Sequence, residues 1–127
     1  MPHLTLEYST NAGPAPDSQR LFNALHVQLA QAGEFRTQDF KSRIFPVDTF
    51  HIGLGDGDAS FVRLNIETFF GKSAQQKKAM SQVALRVLSE HFHQALTLGN
   101  CDIAVQITEL ERESYARVRS SDLVENA

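Results

Sequence analysis

The second residue of the chain offers the most unusual chemistry in the sequence. Removal of Met1, which is expected when the next residue is as small as proline, would leave Pro2 with a free secondary amine. A terminal amine in water has a pKa of about 8, so this group would normally be protonated at neutral pH. Burial and a neighbouring cation both lower such a pKa, because both disfavour the charged form. With its pKa lowered in this way, Pro2 would be neutral at neutral pH and free to react.

The residues after Pro2 predict the strand that would hold it. From Pro2 to Tyr8, apolar and polar residues alternate with period two, which is typical of a half-buried strand. Pro2 shares a face with Leu4, Leu6 and Tyr8, and this apolar surface would desolvate the amine. The simpler interpretation is that Pro2 only begins a strand, a position at which proline is tolerated.

A second predicted strand carries two basic residues on one face. The strand runs from Phe40 to Val47, and Lys41 and Arg43 lie on one of its faces. Burying two cations there without anions would be costly, so they must face solvent, an acidic partner or an anionic ligand.

Composition limits the class of protein. A chain of 127 residues with ordinary apolar and charged fractions makes one domain with a real core. A net charge of −3 with scattered Lys and Arg argues against nucleic acid as the partner. The sequence has neither a membrane-spanning apolar run nor a signal-peptide pattern, and its single cysteine, Cys101, fits a reducing compartment. We therefore expect a cytoplasmic protein with no nucleic-acid or membrane partner.

Helix caps and apolar spacing predict two helices. Asp17 is a good N-cap for a first helix of about Ser18 to Ala32, which we expect to end with Gly33 in the left-handed conformation. Ser73 and Gln76 form a capping box that starts a second, longer helix. Its apolar stripe continues without interruption to a Gly-Asn pair.

Two further predicted strands, Ala59 to Phe70 and Cys101 to Glu109, complete the order strand, helix, strand, strand, helix, strand. This order predicts an α+β fold. It fits the ferredoxin-like split βαβ arrangement, and it equally fits two βαβ units placed side by side around a pseudo-two-fold axis.

No other catalytic signature stands out in the sequence. It has no nucleophile elbow, zinc-ligand cluster, Gly-rich phosphate fingerprint or Cys/His pairing. His91 and His93 are two residues apart, which puts them on roughly opposite sides of a helix and excludes them as a metal pair. We expect no metal and no cofactor.

Six short stretches, in order and spacing, resemble the 5-carboxymethyl-2-hydroxymuconate isomerase family of the tautomerase superfamily. They are Pro2-His3, Ser42-Arg43, Val47-Asp48-Thr49, Phe61-Val62, Gly71-Lys72-Ser73 and Ile107-Thr108-Glu109-Leu110. The resemblance implies two βαβ units that form a four-stranded sheet with two helices packed on one face. It also implies a homotrimer. Residues 1–110 would be the single domain, and residues 111–127 a C-terminal tail that could serve as an oligomer arm.

The resemblance also assigns roles to residues. Pro2 takes the role of general base, and Lys41, Arg43 and Lys72 those of substrate-binding cations. The substrate would be a 2-hydroxymuconate-like unsaturated dicarboxylate from the degradation of aromatic compounds such as homoprotocatechuate. Lys41 and Lys72 stand where the family carries arginines, so both keep the charge but lose the bidentate fork. This departure leaves the physiological substrate open.

Two other functions are consistent with the sequence. A non-catalytic ferredoxin-like domain that binds an anion or a partner would form dimers and be indifferent to changes at Pro2. A related enzyme with another substrate, such as a phenylpyruvate-type tautomerase or a dehalogenase, would depend on Pro2 but prefer a different compound.

Overall fold

The computed structural model describes residues 1–124 of the chain. Its strands are β1 (His3–Ser9), β2 (Lys41–Val47), β3 (Ala59–Phe69) and β4 (Asn100–Leu110). Its helices are α1 (Ser18–Gly33), α2 (Ala74–His91), α3 (His93–Leu98) and α4 (Ser120–Val124), with 3-10 turns at Thr37–Asp39 and Arg112–Ser114. The last three residues of the predicted tail lie outside the described residues.

The four strands form one mixed sheet in the order β2-β1-β3-β4. β1 pairs in parallel with β2, β3 pairs in parallel with β4, and the two halves meet through the antiparallel pair β1/β3. In a split βαβ unit another strand would separate the two strands that a helix connects. Here each such pair is adjacent, so the fold is two βαβ units side by side.

One face of the sheet and the two long helices enclose the core. The pattern of alternate buried residues along β1 and β3 places every second side chain against the helices. Full burial of a leucine contributes about 1.5–3 kcal/mol, and the core is rich in such residues. Its fully buried large side chains include Leu4, Leu6, Leu21, Leu25, Leu29, Leu64, Ile66, Met80 and Leu88. The prediction of a four-stranded sheet with helices on one face is confirmed.

The opposite face of the sheet, which we call the open face, carries polar and aromatic side chains. Glu7 on β1 pairs with Arg63 on β3 at 3.5 Å. Farther along β3, Asn65 accepts hydrogen bonds from Gln106 and Thr108 of β4. Most side chains along this face are half-buried or exposed, with Ser9 at the end of β1 as a buried exception.

The predicted N-caps are present. Asp17 accepts a hydrogen bond from the backbone N–H of Arg20 at 3.2 Å, and Ser73 accepts one from the N–H of Gln76 at 3.1 Å. Each bond satisfies a donor that the first turn of a helix leaves unpaired.

The predicted left-handed ending at Gly33 is wrong by one residue. Gly33 is the last residue of α1, and the left-handed conformation belongs to Glu34, with φ 58°. A Cβ at Gly33 would clash with the ring of Phe35 unless that ring shifted. The glycine thus suits the close approach of the aromatic ring, while its backbone angle is ordinary.

The second helix is broken at Phe92. This residue has φ −110° and ψ 28°, so α2 ends before it and α3 begins after it. Its ring is buried, with its centroid 5.8 Å from that of Tyr8. The prediction of a single long helix is therefore wrong. The sequence does not indicate the break, because the apolar stripe continues across it.

Across residues 1–124, no helix has both the length and the apolar character needed to cross a membrane.

The substitution Glu34→Gly should raise the free energy of unfolding by about 0.5–1 kcal/mol, because glycine adopts the left-handed conformation without a Cβ clash. Glu34→Ala is the matched control, since it removes the carboxylate but keeps the Cβ. Urea unfolding of both variants checks the prediction. A lower stability of Glu34→Gly than of the parent would contradict it.

Candidate active site

Pro2 lies at the amino end of the central strand β1. Its side chain is fully buried, and its carbonyl accepts a hydrogen bond from the backbone N–H of Lys41 at 3.2 Å. His3, the next residue, lies opposite Glu67 of β3. Pro2 is therefore held between β2 and β3, with its ring on the face that carries the core.

An open cavity of about 370 Å³ lies beside Met1. Met1 forms one wall, and the residues after α1, including Phe35, form another. The turn between β3 and α2 contributes Lys72, and Arg112 comes from the segment after β4. This volume is within the range of about 300–1,000 Å³ typical of small-molecule sites.

Lys72 is held at the wall of this cavity by two contacts. Its ammonium donates a hydrogen bond to the carbonyl of Gly33 at 2.6 Å, at the end of α1. The same nitrogen lies 4.2 Å from the centroid of the Phe35 ring, where a cation is attracted by the π electrons. Lys72 thus joins the turn before α2 to the end of α1.

The turn that carries Lys72 is anchored to β4. Glu109 accepts a hydrogen bond from the N–H of Gly71 at 3.4 Å and pairs with Lys77 at 2.7 Å. The hydrogen bond from Lys77 lowers the pKa of Glu109 from its ordinary value. Gly71 has φ 130°, a conformation that glycine adopts without a Cβ clash.

The amine at the chain start lies in surroundings that disfavour its charge. Burial lowers the pKa of the Met1 amine, the positive charge of Lys41 lowers it further, and Asp39 opposes the shift. Arg117 adds to the lowering. Lys41 is therefore near the chain start, although its own side chain is exposed.

Arg43 lies elsewhere in the subunit. It sits on the open face, where its Nη2 is 3.2 Å from Nδ1 of His3. Because arginine can only donate, Nδ1 of His3 must accept, so His3 is neutral and carries its proton on Nε2. Burial lowers the pKa of His3, and the charge of Arg43 lowers it further.

The structure therefore separates the four residues predicted for the site. Lys72 lines the cavity beside Met1, Lys41 lies near the chain start, and Pro2 is buried, with its nitrogen bonded to Met1. Arg43 lies on the open face, the face of β2 that also carries Lys41, and it does not line the cavity. The binding and catalytic roles of all four stay predictions.

Sequence reasoning missed the contribution of Arg112 and Arg117, because it treated everything after Leu110 as one polar tail. The signal that could have found them is Tyr115, an aromatic residue between two arginines in an otherwise polar stretch. Its ring packs edge-on against Phe69 with centroids 4.9 Å apart, so the segment folds back onto its own sheet.

Among residues 1–124, no group of three or more His, Cys, Asp or Glu side chains is arranged to hold a metal ion. The ionisable groups around the cavity are an amine, ammonium and guanidinium cations, and the carboxylate of Glu34. Such a set suits the binding of an anion and the transfer of a proton.

The sequence model of one family, 5-carboxymethyl-2-hydroxymuconate isomerase, matches residues 2–121. The chain belongs to this family. It is therefore an isomerase of the tautomerase superfamily, and the family match extends past Leu110 into the C-terminal segment.

Individual relatives of this isomerase agree with the assignment. The chain is 26% identical over 110 residues to the 5-carboxymethyl-2-hydroxymuconate Delta-isomerase of Escherichia coli, with 87% of each chain covered. A crystal structure of a 5-carboxymethyl-2-hydroxymuconate isomerase from Deinococcus radiodurans R1 superposes with a TM-score of 0.84 at 22% identity, covering 98% of this chain and 93% of that one. A fused 4-OT wild-type symmetric trimer gives 0.72 at 15% identity, with 91% of each chain covered.

Removing the charge at position 43 should raise the pKa of His3 toward its ordinary value of about 6.5. In Arg43→Met the shift should be partial, because burial still lowers the pKa. NMR titration of the His3 ring protons measures it, with Arg86→Met on α2 as the matched control. A His3 pKa unchanged by Arg43→Met would contradict the contact.

The lowered pKa of His3 also determines how the stability of the fold changes with pH. The folded chain binds this proton less readily than the unfolded chain, so stability is complete above about pH 6.5 and falls as pH drops through the unfolded pKa. The part of this loss that His3 causes should be smaller in Arg43→Met.

Proposed function

We propose that the chain, once Met1 is removed, isomerises an unsaturated dicarboxylate of the 2-hydroxymuconate type with the nitrogen of Pro2 as general base. One observation carries the proposal. Met1 lines the cavity and is covalently bonded to the nitrogen of Pro2. Removal of Met1 would therefore open that nitrogen to the cavity that Lys72 and Arg112 also line.

The surroundings support a neutral Pro2. Burial and the charges of Lys41 and Arg117 lower the pKa of the Met1 amine. The nitrogen of Pro2 is one residue deeper in the fold, beside a fully buried ring. The same causes act in the same direction there, so the secondary amine would lose its proton more readily than in water.

The reaction then needs only proton transfer and charge stabilisation. Neutral Pro2 removes a proton from an activated position of the bound substrate, and the negative charge collects on the 2-oxygen as a dienolate. A cation or a backbone N–H holds that oxygen, and Pro2 returns the proton to another carbon, so the base is regenerated. Lys72, which keeps donor capacity beyond its one bond to Gly33, is suited to a substrate oxygen or carboxylate.

The substrate class follows from the family and from the cavity. The Escherichia coli relative is named a 5-carboxymethyl-2-hydroxymuconate Delta-isomerase, which supports a related dicarboxylate here. The cations at the cavity and the chain start suit two carboxylates. Because Lys41 and Lys72 replace family arginines, a tautomerase or dehalogenase with a different substrate is the second candidate. Comparison with the ketonisation of phenylenolpyruvate tests it.

We also propose that three copies assemble through their open faces. Phe45 of β2 lies on this face and is 51% exposed, which suits a position that another subunit covers. A symmetric trimer is named among the similar solved structures. In such an assembly Arg43 would lie at a subunit boundary, and its predicted substrate contact would be made there. The exposed Val118 and Leu123 suit an arm on a neighbour.

Replacing Pro2 should remove most of the activity. A positioned base contributes roughly a hundred- to ten-thousandfold in rate. Pro2→Ala keeps a less basic primary amine and should retain a small part of that factor. Steady-state isomerisation of 2-hydroxymuconate measures it, with mass spectrometry showing that Met1 is absent from both proteins. Pro14→Ala, in the exposed loop before α1, is the matched control, and parental rates in Pro2→Ala would refute the proposal.

Light scattering should give a mass of about 43 kDa, three times the 14.2 kDa subunit. Phe45→Lys should lower this mass, because the ammonium can face Glu7 in a free subunit but loses its water in an interface. Leu85→Lys, on the outer surface of α2, should leave it unchanged. A parental mass of one subunit would exclude the trimer, and a trimeric Phe45→Lys would exclude the open face as its interface.

A further inference from the structure

The segment after β4 places an arginine on an aromatic surface at the cavity. The guanidinium carbon of Arg112 lies 4.3 Å from the centroid of the Phe69 ring, and Tyr115 packs edge-on against the same ring. The backbone N–H of Tyr115 donates to the carbonyl of Arg112 at 3.1 Å and closes a 3-10 turn. Stacking on a ring fixes the plane of a guanidinium and leaves its edge, with the N–H groups, available.

The charge of Arg112 has no counterpart within the described part of the chain. Among residues 1–124, its guanidinium makes neither an ion pair nor a hydrogen bond. Glu34 lines the same cavity, but no ion pair joins it to Arg112. Lys72 differs, since its ammonium already donates to the carbonyl of Gly33. Of the two cationic side chains that line the cavity, Lys72 donates a hydrogen bond to the protein and Arg112 donates none within residues 1–124.

Carboxylates are the anions that a free guanidinium edge fits best. Two parallel N–H donors match the two oxygens of a carboxylate, whereas an ammonium offers a point charge without that geometry. Arg112 is the only guanidinium that lines the cavity within residues 1–124. The two lysines of the predicted site cannot supply this fork.

We propose that Arg112 binds the substrate carboxylate at the end of the molecule away from the 2-hydroxyl group, as a bidentate pair held in plane by Phe69. The inference rests on the proposed function, because it assumes that the substrate is a dicarboxylate bound in the cavity beside Pro2. It adds a specificity-determining residue from a segment that the sequence predicts only as a tail. The first turn of that segment is then part of the site.

The proposal predicts a difference between two substrates. 2-Hydroxymuconate has a distant carboxylate, and 2-hydroxypenta-2,4-dienoate has the same dienol without it. Hydrogen bonds to charged groups are strong enough that Arg112→Met should raise KM for the dicarboxylate roughly ten- to a hundredfold. The KM for the monocarboxylate and kcat for both should change little, because Arg112 touches no reacting atom.

The experiment uses the processed full-length protein with both substrates and four variants. Arg112→Lys keeps the charge without the fork, so its KM for the dicarboxylate should lie between those of the parent and Arg112→Met. Arg86→Met, exposed on α2, should match the parent on both substrates. Pro2→Ala should lose activity on both, and this separates the general base from the carboxylate fork.

Each contrary result has one meaning. If Pro2→Ala loses activity and Arg112→Met matches the parent on both substrates, the inference about Arg112 is wrong and the proposed function stands. Equal losses of Arg112→Met on both substrates would give Arg112 a structural role and also overturn the inference. If the parent turns over neither substrate, or Pro2→Ala keeps full rates, the proposed function fails and the inference fails with it.

Discussion

The proposed role of Pro2 depends on one constraint, that a terminal amine acting as a base must be kept from binding a proton in neutral water. A terminal amine in a mobile chain end would be hydrated and charged. Here the chain start is fixed, because β1 is an inner strand with β2 on one side and β3 on the other. The hydrogen bond from Lys41 to the carbonyl of Pro2 extends this pairing to the second residue. The position of the amine is therefore set by the whole sheet.

Local concentration of positive charge matters more here than total charge. The chain carries a net charge of −3, yet the start of β1 has Lys41, Lys72, Arg112 and Arg117 around it. They come from three separate parts of the sequence, and two of them, Arg112 and Arg117, follow the last strand. The segment after β4 thus contributes to the same electrostatic environment as β2 and the turn before α2. A description that ended the functional unit at Leu110 would lose half of these charges.

The parts of the fold that the sequence predicts are those determined by neighbouring residues. Alternation along β1 and the caps at Asp17 and Ser73 depend on residues a few positions apart, and the structure confirms them. The pairing of β1 with β2 joins residues far apart in the sequence. The order of elements alone therefore could not distinguish this adjacent pairing from the split βαβ arrangement. The break at Phe92 was missed because burial continues across it. Arg112 was missed because its position depends on the Phe69 ring, far away in sequence.

The contact between Lys72 and the end of α1 leaves this lysine with donors for the cavity, although the family resemblance implies an arginine at this position. Gly33 presents a single unpaired carbonyl, and one N–H of an ammonium satisfies it at 2.6 Å. Two N–H groups remain to face the cavity. A planar guanidinium that bound the same carbonyl would have less freedom to turn its other donors toward a substrate. Lys72 can therefore satisfy a carbonyl at the end of α1 and also attract an anion. The bidentate binding of a carboxylate then has to come from a second residue, the role proposed for Arg112.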